Sequence, residues 1–74
     1  MDRQGDSLRL LGCRITELRH ERQLTLETLA SRTGLDPGIL AAIEAGQLDI
    51  PITTIFRLAR AFDLTPDQFL KFLP

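Results

Sequence analysis

Residues 24–46, LTLETLASRTGLDPGILAAIEAG, decide the fold. Thr25 follows an apolar residue and can accept a hydrogen bond from the next turn, so it is expected to cap a helix. Thr28 stands where a reciprocal capping box would carry Glu or Gln, which leaves that box incomplete. Leu29 and Ala30 fall on the inward face, and Ala30 is small enough for another helix to approach. Gly34 tolerates the left-handed backbone that closes this helix and turns the chain. Asp36 and then Pro37 start the next helix, an acid at the cap and proline at the first position. That helix runs to Glu44 or Ala45, buries Leu40 and Ile43, and stops at Gly46. The stretch predicts two short helices held at a fixed angle by a tight turn.

The flanking segments supply the packing for that pair. Met1–Asp6 reads as a flexible arm, and residues 7–74 as one domain. Ser7 is expected to cap a first helix reaching Arg22, with Leu8, Leu11, Ile15 and Leu18 as its apolar stripe. Gly12, beside that stripe, marks a close helix contact. After a loop at residues 47–50, Pro51 opens a fourth helix to Phe62, with Ile52, Ile55, Leu58, Ala59 and Phe62 facing inward. Thr65, Pro66, Asp67 and Gln68 match a capping box and start a short fifth helix. Its apolar set, Phe69, Leu70, Phe72 and Leu73, exceeds what so short a helix needs for one buried face. It can fold back on the first helix or form a homodimer seam. The fold class is all-α, a compact five-helix bundle.

Composition narrows the function. At 74 residues the chain is near the lower limit for a self-sufficient core. The lone Cys13 cannot form an internal disulfide, and no apolar run is long enough to span a membrane, so a cytoplasmic location is expected. His20 has no second histidine or cysteine at ligand spacing. With no paired carboxylates and no phosphate-cradling glycine loop, neither enzyme activity, a metal nor a cofactor is expected. Net charge is −1. Six of the nine basic residues lie in the first half, where acids nearly cancel them. Any nucleic-acid face must therefore be local, because phosphate neutralisation needs clustered cations.

The run LGCRITELRHERQLTLETLASRTGLDPGILAAIEAG, continued by IPITTIFRLARAFDLTPDQF, resembles the phage-repressor-like (Cro/CI, Xre-type) helix-turn-helix family. The likeness joins the Arg-Ile of helix 1, Leu-Thr before helix 2, Ala30 and Gly34. It extends to Ile-Glu with a following glycine, Leu-Ala-x-Ala-Phe, and Thr-Pro-x-x-Phe. The resemblance implies a lambda-repressor-like domain that binds double-stranded DNA as a transcriptional regulator, often a repressor and dimeric. It further implies that Arg14 and Glu44 form an internal ion pair bracing the motif. Carried over residue by residue, the DNA-binding set is Thr25, Leu26, Arg32, Asp36, Pro37, Gly38, Ala41, Ala42 and Gln47.

That set is poor in donors. Base readout uses Arg or Lys for guanine and Asn or Gln for adenine, yet the helix 3 surface offers one acid and several methyl groups. Phosphate contacts would fall to backbone N–H groups at the starts of helices 2 and 3, aided by Arg19, Arg22 and Arg32. The alternative is a protein-interaction module. Leu26, Pro37, Ile39, Ala41, Ala42 and Ala45 would then grip a protein partner or a second copy.

Overall fold

The structure, a computed structural model, describes residues 3–71, with side chains from Asp6 onward. Among these residues it is all-helical: α1 (Arg3–Glu21), α2 (Leu26–Thr33), α3 (Pro37–Glu44), α4 (Ile52–Ala61) and α5 (Pro66–Phe69). Phe72 and Leu73, the outer half of the apolar C-terminal set, lie outside the described residues, as does the tip of the N-terminal arm.

Local signals set most boundaries. The Thr25 hydroxyl accepts from Thr28 N, and Gly34 closes α2 at φ +74°. Thr65 and Gln68 complete a full capping box at α5. α1 and α4 end alike without glycine. Gln23 and Asp63 take φ of 54° and 57°, and the following N–H groups return to the carbonyls of Arg19 and Ala59. Such left-handed closure satisfies carbonyls that a helix end would otherwise leave open.

Two expectations change here. α1 begins at Arg3 rather than at a Ser7 cap, and residues 3–6 form its opening turn. Asp6 pairs with Arg9 one turn along, which ties that opening turn to the helix. Ile52 does not face inward; it is 55% exposed. The buried face of α4 is Thr54, Leu58 and Ala59, with Ile55 half-buried, and Ile52 lies on its flank.

The core joins Leu11, Ile15 and Leu18 of α1 to Leu29, Ala30, Leu40, Ile43, Leu58 and Ala59. Phe62 and Phe69 complete it, with ring centroids 6.2 Å apart. Burying each large side chain contributes about 1.5–3 kcal/mol against leaving it in water. α1 packs on α3 through Gly12. A Cβ there would lie 2.8 Å from the Ile43 carbonyl oxygen and closer still to that of Glu44. Glycine thus lets α1 ride directly on the last turn of α3. α2 packs on both α3 and α4, so the elbow is braced from two sides.

Candidate nucleic-acid interface

α3 takes its orientation from its two buried residues. Leu40 and Ile43 are almost fully enclosed, and at 100° per residue Gly38, Ala41, Ala42 and Ala45 cluster on the opposite side. Gly38, Ala41 and Ala45 are exposed and Ala42 half-buried. Nothing on this face projects beyond a Cβ. Ile39, 46% exposed, flanks it. Pro37 and Asp36 are exposed at its start, and Gln47 is exposed just past its end.

The start of α3 is chemically occupied. The Asp36 carboxylate accepts from Gly38 N at 2.8 Å and from Ile39 N at 3.3 Å. Pro37 has no N–H, and Leu40 N already reaches the Asp36 carbonyl. Helix 3 therefore has no spare N–H for a phosphate, contrary to expectation. α2 differs. Its Thr25 cap takes only Thr28 N, at 3.0 Å. The first two N–H groups of α2, on Leu26 and Glu27, lie at an exposed, positively polarised helix end. Leu26 itself is half-buried and packs partly on the core, so little of it serves an outer surface.

The bracing ion pair is corrected. Glu44 pairs with Arg19, not Arg14: Arg19 Nε donates to Oε2 at 2.8 Å and Nη2 to Oε1 at 3.2 Å. Their side chains are only 16% and 11% exposed. Thr16 also donates to Glu44 at 3.2 Å, and Arg19 Nη1 donates to the Leu24 carbonyl at 3.1 Å. The hydrogen bond to Glu44 holds the Arg19 guanidinium above its ordinary pKa, against a smaller opposing effect of burial. Arg14 instead donates to the carbonyls of Phe69 and Gln68, tying α1 to α5. The reason is helical register. Gly12, Thr16 and Arg19 share the α1 face that meets α3, whereas Arg14 lies about 200° from Gly12. That spacing was the signal that could have named Arg19.

Arg32 does not join the α3 face. It lines an open groove between the end of α2 and the last turns of α4, with Arg57, Arg60 and Asp63. Among the described residues no group of three His, Cys, Asp or Glu side chains is placed to hold a metal, and no helix is long and apolar enough to cross a membrane.

The family model for a helix-turn-helix domain matches residues 12–71. The chain belongs to the helix-turn-helix family. It is 30% identical over 60 residues to the HTH-type transcriptional regulator y4dJ of Sinorhizobium fredii, a match covering 81% of this chain and 78% of that relative. The crystal structure of the restriction-modification controller protein C.AhdI from Aeromonas hydrophila is similar at 35% identity and TM-score 0.84. That likeness spans 88% of this chain and 98% of the other. The clp gene regulator ClgR from Corynebacterium glutamicum shares the fold, with TM-score 0.83 at 22% identity over 88% of this chain and 69% of its own. The Xre-type resemblance holds, and the protein is a DNA-binding transcriptional regulator rather than an enzyme. These relatives favour that role over the protein-interaction module.

Proposed function

We propose that the chain is a cytoplasmic repressor that acts as a homodimer and lays α3 of each copy in the major groove. The observation that carries this reading is the bare outer face of α3. With no side chain past Cβ at Gly38, Ala41, Ala42 and Ala45, the helix backbone can seat against the groove floor. The alanine methyls there can pack on thymine methyl groups. Sequence-dependent DNA shape supplies the remaining selectivity. Thr25 and the opening N–H groups of α2 hold a phosphate at one edge. Pro37, Ile39 and Gln47 rim the contact.

A homodimer is supported by α4. Ile52 and Phe56, one turn apart, are 55% and 46% exposed and form an apolar flank on the solvent side. The fold is 35 Å long and about 22–25 Å across. Two touching copies can therefore set their α3 helices about 34 Å apart, one turn of DNA. A second copy covering Ile52 and Phe56 is the occupant this geometry favours.

Selection of duplexes from a random pool, followed by mobility-shift titration at about 50 mM salt, tests the reading. Enrichment of an inverted repeat bound at two copies per duplex is expected. Folded protein at micromolar concentration that enriches no duplex would overturn it.

A further inference from the structure

The cations among the described side chains divide into two groups. Arg9 pairs with Asp6, Arg19 with Glu44, and Arg22 with Glu21 at 3.8 Å while lying over the Phe62 ring. Arg14 is held by the α5 carbonyls. Among the described side chains, Arg32, Arg57, Arg60 and Lys71 make no ion pair or hydrogen bond. Three of those four line one groove, where the α2 end meets the last turns of α4. Asp63 is the single acid in its wall. In a chain of net charge −1, three of the four uncommitted cations among the described side chains thus share one place.

We propose that this groove binds the phosphodiester backbone of DNA beside the α3 contact. The proposal rests on the DNA-binding reading above and extends it to a second anchoring surface. Three guanidiniums against one carboxylate leave a local excess of two positive charges, which suits a string of phosphates. Position agrees with charge. Gly34, in the groove wall, is two residues from Asp36, so their Cα atoms are at most about 7.6 Å apart. The groove thus reaches toward the start of α3 at its Gly34 edge. Arg57 and Ala61 face the groove and Ile52 lies on the other flank of α4, with Arg60 at the boundary, where it also lines a neighbouring pocket with Phe56. Backbone binding and self-association can coexist on one helix. Since Asp36 consumes the α3 donors, these arginines supply the positive charge that α3 itself cannot.

The test combines a double variant with a local probe. Arg57→Ala with Arg60→Ala, both at exposed positions, should leave the melting temperature unchanged. It should flatten the slope of log K against log salt by about 0.9 for each phosphate that is no longer neutralised. Lys71→Ala, an uncommitted cation outside the groove, should leave the slope intact. Arginine Nε–H signals followed by NMR during titration with a mixed-sequence duplex should shift at Arg32, Arg57 and Arg60 together. An unchanged slope in a variant that still binds DNA overturns the groove and spares the DNA reading. Shifts produced only by millimolar inorganic phosphate, and not by duplex, overturn the backbone assignment. Failure of the wild type to bind any duplex removes both readings at once.

Discussion

The Arg19–Glu44 pair and Gly12 together fix how α1 sits on α3. Glu44→Ala would strand a nearly enclosed guanidinium beside the Leu24 carbonyl, at a cost of about 2–4 kcal/mol measured by urea denaturation. Arg14→Ala removes only long hydrogen bonds to α5 carbonyls, 3.3 and 3.4 Å, and should cost about 1 kcal/mol or less. The order of these two losses checks the corrected pairing. The pH dependence has a definite sign. Arg19 is raised above its ordinary range, so its contribution is complete below the unfolded value and fades only as pH climbs through the folded one. The stability gap between wild type and Arg19→Ala should stay flat from about pH 7 to pH 10. Gly12→Ala sets a gain in helix propensity of about 1 kcal/mol against backbone overlap with Ile43 and Glu44. The overlap should win by about 1–3 kcal/mol. The close approach at Gly12 was legible in the sequence. Its corollary, that the braced arginine must share Gly12's face, was legible too but requires following register along α1.

At the scale of elements, helix ends written in two or three neighbouring residues were readable. Thr25, Gly34, Asp36–Pro37 and Thr65–Gln68 all act within one turn of themselves. The start of α1 was not, because Ser7 carries the right chemistry and yet the helix runs straight through it. Nor was the tilt of α4, since Ile52 and Ile55 look equivalent until packing on α2 and α5 selects one. The α3 cap gives a clean prediction. Asp36→Ser keeps a capping oxygen and removes a negative charge, so stability should hold within about 0.5 kcal/mol. Affinity for duplex should rise modestly, because repulsion of phosphate is relieved. Asp36→Ala removes the cap as well and should cost about 1 kcal/mol of stability. Paired melting curves and duplex titrations separate the two roles of this residue.

For the molecule as a whole, function could be read only through fold. Composition shows no basic excess, and the surface expected to read bases carries almost no donors. The proposed DNA contact therefore rests on local features: Arg19 is committed to Glu44, the outer face of α3 is smooth, and Arg32, Arg57 and Arg60 line one groove between α2 and α4. Self-association belongs to this scale. Phe56→Arg places a charge in the proposed seam without touching the core. Light scattering should then fall from twice to once the 8.3 kDa chain mass, with the melting curve still cooperative. Cooperative binding to an inverted repeat should vanish with it.

The most direct measurement is the affinity of Ala41→Glu for a duplex selected by the wild type. Ala41 is exposed, so the variant should melt like the wild type, as surface changes do within about 0.5 kcal/mol. A carboxylate at the centre of the α3 face should weaken binding at least tenfold, about 1.4 kcal/mol. Folded Ala41→Glu protein that holds the same duplex as tightly as the wild type would place the reading surface elsewhere and contradict the account.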